Sequence, residues 1–231
     1  MTLLTVSRFR NDPVIARAAP FLLFIALLML GPYLAPPGQG ASGTAPWLVA
    51  TRGAIVAMAL LWFWRGYIEL RTLSPARPGH WLLAVLAGFA VFLIWIWFDD
   101  DWAVLARWPG FIPHEPDGNA NWPMALMRLA GFSLVVPVME ELFWRSLVLR
   151  WIEKHEFLSV DPRRVGARAF LITMVLFMLE HDRWFGGAIA GAVYNALYMR
   201  SRNLWVPIVA HAVTNGALGV WVLYTGNWQF W

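Results

Sequence analysis

The chain contains no cysteine. That removes disulfides, thiolate nucleophiles and zinc–thiolate centres, and leaves histidines and carboxylates as the ligands for any transition metal. Charge is also scarce. Only 14% of the 231 residues are charged, against about 25% in an ordinary soluble domain. Apolar residues make up 59% of the chain, and they fall in runs long enough to cross a bilayer. This argues against a soluble protein with a large core. No stretch alternates apolar and polar residues as a barrel strand would. Backbone groups in hydrocarbon must be satisfied within the protein, so a helical bundle is the economical solution. There is no internal repeat, no coiled-coil heptad and no H-E-x-x-H zinc motif. No convincing small-residue cleavage pattern follows the first apolar run, which is therefore read as a retained helix.

Seven spans can be drawn: about Ala18–Tyr33, Ala45–Trp64, Trp81–Phe98, Met124–Leu149, Ala167–Glu180, Phe185–Met199 and Leu204–Tyr224. The expected fold is all-α, a polytopic transmembrane helical bundle forming one membrane domain over 1–231, with a core at 124–224. The fifth and sixth spans are short for a hydrocarbon layer of about 30 Å. Pro36–Thr44 reads as a Gly/Pro-rich turn, Asp99–Asn121 as an irregular connection and Glu153–Arg168 as a charged linker.

The net charge is +4 and the pI near 10.0. Arg8, Arg10, Arg17, Arg65, Arg71, Arg77, Arg150, Lys154, Arg163, Arg164, Arg168, Arg200 and Arg202 fall on one side of the seven-span topology. Arg107 and Arg183 fall on the other, with Arg128 near a helix start. The positive-inside rule then puts the N-terminus in the cytoplasm and the C-terminus outside. The basic residues thus speak for membrane orientation rather than for nucleic acid. Many of the sixteen tryptophans, among them Trp47, Trp62, Trp97, Trp205 and Trp231, lie near run ends, where an amphipathic ring prefers the headgroup layer.

Polar residues inside these spans are costly, and usually have a partner or a job. Glu140 and Glu141 sit side by side in the fourth span, with Arg145 four residues beyond Glu141. That spacing suits an ion pair on one helix face and turns Glu140 about 100 degrees away. Phe177 and His181 are four apart at the end of the fifth span, and His211 and Asn215 four apart in the seventh. His and Asn can both donate to a developing oxyanion. Each set would equally serve as a hydrogen-bonded seam between helices. Gly187 and Gly191 form a small-residue pair suited to close packing of the sixth span, and Asn195 is placed for an interhelical contact. Pro137 and Pro207 are positioned to kink or open their helices. One difficulty stands out. Glu140 and His211 belong to the cytoplasmic half, whereas His181 falls at the outer end of the fifth span. A shared site requires that span to be shortened, shifted or re-entrant.

Glu140-Glu141-x-x-x-Arg145, Phe177-x-x-x-His181 and His211-x-x-x-Asn215 resemble, in order and spacing, the three motifs of the CAAX-protease and bacteriocin-processing family of intramembrane proteases. The likeness covers about Met124–Tyr224. The run Met139–Arg145 and the Trp-rich ends look like the bacterial CAAX prenyl protease-related subgroup associated with exosortase systems. The resemblance implies a peptide-bond hydrolase of a prokaryotic inner membrane. In it Glu140 activates water, His181 orients water or carbonyl, and His211 and Asn215 stabilise the oxyanion. Arg145 pairs with Glu141, and Phe177 packs beside them. It further implies a membrane-embedded or lipidated protein or peptide as substrate. Glutamate-activated water without a tightly held metal is the favoured chemistry. A zinc ion, if present, would take Glu140, His181 and His211. The alternatives are a non-catalytic scaffold or immunity protein using the same polar bundle, or a transporter. The sequence carries no signal for oligomeric state.

Overall fold

Helix ends in this chain are set by local chemistry. In the computed structural model, which describes residues 10–34, 46–71, 76–107, 110–113 and 120–231, helix α1 (Pro13–Leu30) starts behind Asp12. The Asp12 carboxylate accepts the N–H groups of Val14 and Ile15 at 2.9 Å, and Pro13 fills the first position, where no N–H is needed. Helix α2 spans Pro46–Phe63, and the short α3 spans Ile68–Arg71. Helix α4 (Pro78–Trp97) again opens on proline. Helix α5 (Trp122–Trp151) is capped by Asn121, which accepts the Met124 N–H at 2.9 Å. Helices α6 (Ala167–Leu179), α7 (Trp184–Ser201) and α8 (Trp205–Thr225) follow. Gly226, at a φ of 72°, stops α8 in the left-handed conformation that glycine adopts without cost.

Each of the seven predicted spans is a helix. Five of them, α1, α2, α4, α5 and α8, are long and apolar enough to cross a membrane. Helix α6 is apolar but has only 13 residues. Leu22, Met29, Met58, Leu61, Leu82, Leu86 and Leu134 point outward, each more than half exposed. An apolar exterior of this extent suits lipid, not water. The chain is thus a multi-pass membrane protein with an all-α fold. The predicted turn at Pro36–Thr44 lies outside the described residues. The described part of Asp99–Asn121 is irregular, and Glu153–Arg168 holds two 3-10 turns, Phe157–Ser159 and Pro162–Arg164.

Helices α4 and α8 pack most intimately. A Cβ on Gly88 would lie 2.2 Å from the Ala210 carbonyl oxygen, so only glycine permits this approach. Thr214 Oγ1 ties the same crossing by donating to the Gly88 carbonyl at 2.8 Å. Helix α7 lies on α6 through Gly187 and Gly191, where an added Cβ would meet Met178 Cα and Met174 Cα at 3.3 Å. The predicted small-residue wall is therefore real, and Asn195 makes the expected interhelical bond by donating to the Phe170 carbonyl at 3.2 Å.

Three expectations are corrected. Pro207 occupies the third position of α8, in the first turn, where the missing N–H has no partner to lose; it opens the helix and does not kink it. Trp231, expected to present its ring to the headgroup layer, is instead buried against the protein and stacks on Trp228. Arg17 and Arg150, counted as flanking charges, are buried. Arg17 donates to Glu69 Oε2 at 2.5 Å, to Ser146 Oγ at 2.8 Å and to two backbone carbonyls. Arg150 donates to Glu69 Oε1 at 2.6 Å. This network locks α1, α3 and α5 together at one end of the bundle.

Candidate active site

The site begins with irregular turns in α5. Two stretches of this helix, Gly131–Val135 and Leu142–Val148, have π-helical spacing, and they flank Pro137, Glu140 and Glu141. The Val136 N–H reaches back five residues to the Gly131 carbonyl. The next donor in that register would be residue 137, but proline has no N–H. The Phe132 carbonyl is left without that partner, and Asn215 Nδ2 of α8 supplies the bond at 2.9 Å. Pro137 therefore shapes the helix as expected, and the opening it leaves recruits a residue of the third motif.

One turn further, Arg145 Nη1 donates to Glu141 Oε1 at 3.1 Å, and both side chains are 0% exposed. The guanidinium also donates to Asn195 Oδ1 at 3.2 Å and lies over the Phe177 ring, 4.4 Å from its centroid. The predicted ion pair thus binds α5 to α6 and α7. His211 Nδ1 lies 2.9 Å from the same Glu141 oxygen. A carboxylate only accepts, so Nδ1 carries the proton, and the neutral ring keeps its lone pair on Nε2. That nitrogen is 4.0 Å from Glu140 Oε2, which is buried without a hydrogen-bond partner in the described structure.

His181 follows the same logic. Its Nδ1 is 2.8 Å from the Phe177 carbonyl, so Nδ1 is the donor and Nε2 the acceptor in the neutral ring. The feared separation does not arise. Helix α6 rises only about 20 Å over its 13 residues, so its far end stops inside the bundle. Glu140, His181, His211 and Asn215 line one cavity of about 190 Å³, together with Trp95, Phe132, Phe177, Tyr194 and Thr214.

Tyr194, Trp95 and Trp144 were not singled out by the sequence. The Tyr194 ring stacks on His211 with centroids 4.9 Å apart, and its hydroxyl donates to Thr214 Oγ1 at 2.7 Å. Trp95 stands edge-on to His181 at 5.3 Å. Trp144 Nε1 donates to Glu180 Oε2 at 2.9 Å, which accounts for the second carboxylate beside His181. Aromatic residues are common throughout this chain, and no spacing set these three apart.

Among the described residues, no three His, Cys, Asp or Glu side chains come close enough to hold one metal ion. Glu140, His181 and His211 share a cavity but do not form a ligand set as they stand.

Residues 121–217 match the family model described as type II CAAX prenyl endopeptidase Rce1-like. The match takes in all three motifs and supports a place among the CAAX proteases, a family of peptidases. Neither the curated proteins nor the solved structures contain a match to this chain.

Proposed function

We propose that this protein is an intramembrane endopeptidase in which Glu140 activates the attacking water. The observation that carries this reading is the unpaired Glu140 Oε2, 4.0 Å from His211 Nε2 on the wall of a cavity that also holds His181 and Asn215. A carboxylate with no partner of its own is free to take a proton from water.

The steps follow from the hydrogen bonds around the cavity. Water bound near Glu140 donates one hydrogen to His181 Nε2, the free acceptor of that ring, and gives up the other as a proton to Glu140. The resulting hydroxide attacks the scissile carbonyl carbon. The carbonyl oxygen takes the negative charge and is met by the second N–H of Asn215 Nδ2, since the first is held by Phe132. His211, oriented by its Glu141 hydrogen bond, turns Nε2 toward Glu140 and shares the proton that Glu140 has taken from water, which makes Nε2 a donor to that oxygen. Collapse of the intermediate breaks the C–N bond, and Glu140 returns its proton to the leaving amine. Peptide plus water becomes carboxylic acid plus amine, and the enzyme is restored.

The family match supports a lipidated or membrane-associated protein or peptide as substrate. The apolar cavity wall of Trp95, Phe132 and Phe177 suits a segment arriving from the bilayer. The distribution of basic residues between the helices supports an N-terminus in the cytoplasm, and a prokaryotic cell membrane is the setting that the family resemblance implies. The test is hydrolysis of a farnesylated peptide bearing a carboxyl-terminal extension. The reconstituted protein is expected to release the extension as a free peptide in one cut. An intact peptide bound without cleavage would favour the non-catalytic scaffold instead.

A further inference from the structure

The buried Arg17, Arg145 and Arg150 have carboxylate partners: Arg17 and Arg150 share Glu69, and Arg145 holds Glu141. The half-buried Arg52 and Arg128 of the apolar helices differ. Neither forms an ion pair with any described residue, although both lie well inside apolar helices. Each is six residues from the start of its helix, α2 or α5 respectively, or about 9 Å along the axis. The two helices touch at Gly53 and Gly131, where a Cβ on Gly53 would be 2.8 Å from Gly131 Cα. This contact holds the two guanidiniums on one cavity of about 120 Å³, lined also by Phe24, Val49 and Phe132.

The aromatic neighbours satisfy only the faces of the cations. Arg52 lies over Phe24 at 4.8 Å, and Arg128 over Phe111 at 5.5 Å and Trp231 at 5.0 Å. Their in-plane donors remain. Arg128 Nε in particular is buried with no acceptor in the described structure. Two positive charges facing one cavity repel each other and are costly in hydrocarbon unless an anion joins them. The planar guanidinium fork matches phosphate oxygens two at a time. A membrane supplies phosphodiesters at this depth, close to the helix starts.

We propose that Arg52 and Arg128 form an anion site that holds the phosphodiester of an anionic membrane lipid between α2 and α5. The site backs onto the cavity of Glu140, since Phe132 and Val136 line both. A lipid seated there would brace the π-turn whose Phe132 carbonyl holds Asn215. The proposal is independent of whether the protein is a protease.

Native mass spectrometry of the full chain in detergent tests it, with phosphatidylglycerol, phosphatidylcholine or sodium phosphate added separately. Wild type is expected to keep one phosphatidylglycerol and no phosphatidylcholine. Occupancy constants should weaken about fivefold in Arg52→Gln or Arg128→Gln and about 25-fold in the double variant, from the ordinary worth of a basic residue at an anionic lipid. The Arg52→Lys/Arg128→Lys variant keeps the charge and is expected to retain binding, so it separates loss of the site from loss of the fold. Equal retention of the two lipids by wild type, or of phosphatidylglycerol by the double Gln variant, overturns the proposal. Displacement of the lipid by sodium phosphate supports the anion site and overturns the lipid as its source. Undiminished lipid binding in the double Gln variant, with lost cleavage only of peptides bearing a free terminal carboxylate, overturns it in favour of a substrate site.

Discussion

His211 Nδ1 and Arg145 Nη1 meet on one oxygen, Glu141 Oε1, at 2.9 and 3.1 Å. Glu141 therefore does two things: it neutralises a buried guanidinium and fixes which nitrogen of His211 faces Glu140. Adjacent glutamates of the same motif have separate duties, one structural and one exposed to the cavity.

Removing Arg145 leaves Glu141 as an uncompensated buried charge. Loss of one partner of such a pair costs about 3–5 kcal/mol. Arg145→Ala is expected to lower the melting temperature of the detergent-solubilised protein sharply and to reduce its folded yield. Glu140→Gln should leave both nearly unchanged, because Glu140 Oε2 has no partner to lose. Thermal denaturation followed by size-exclusion recovery measures the difference.

Asn215 is held by a carbonyl that Pro137 cannot serve. Asn215→Ala should destabilise the protein by about 1–3 kcal/mol, the cost of a buried acceptor left unpaired. Pro137→Ala restores a backbone N–H in that turn, and in the double variant it is expected to recover part of the loss. Cleavage activity should not return, since the Asn215 donor is still missing. A double-mutant cycle on stability, with activity assayed in parallel, checks both halves.

Acid should weaken the lock between α1, α3 and α5. Burial alone would raise the pKa of Glu69, but Arg17 and Arg150, with the Ser146 hydroxyl, outweigh it and hold the carboxyl below its ordinary value. A depressed carboxylate pKa contributes stability that is present above the unfolded value and is lost as pH falls through the folded one. Melting temperature should therefore drop from the ordinary carboxylate range downward. Glu69→Gln should be less stable at neutral pH and show a flatter profile. Melting curves from pH 7 to pH 3 decide it.

The absence of cysteine makes orientation directly measurable. Glu156→Cys, in the exposed linker after α5, should react with a membrane-impermeant maleimide only after cells are permeabilised. Tyr224→Cys, near the end of α8 and 90% exposed, should react in intact cells. The reverse pattern would invert the topology.

Much of the architecture was legible in the sequence, because membrane helices are apolar throughout and their ends carry Pro, Asp, Asn or Gly. The Glu141–Arg145 pair followed from four-residue spacing. What was not legible depends on tertiary contact. Arg17 and Arg150 read as flanking charge, because their partner, Glu69, lies in a separate short helix. The π-turns around Pro137 add residues to a turn without changing composition. The fifth span reads as short, at Ala167–Glu180, and its length alone leaves open whether His181 reaches the site. The 13 residues of α6 end inside the bundle, and this brings His181 to the cavity of Glu140 and His211. Tyr194 could not be told from other helix aromatics until its ring was seen against His211.

The most direct measurement is cleavage of the farnesylated peptide by wild type and Glu140→Gln in the same proteoliposomes, with folding matched by melting temperature. Wild type is expected to cleave the peptide and Glu140→Gln to lose about 10²–10⁴-fold in rate, the usual contribution of a positioned general base and the role proposed for Glu140. A Glu140→Gln protein that is equally folded and equally active would contradict it.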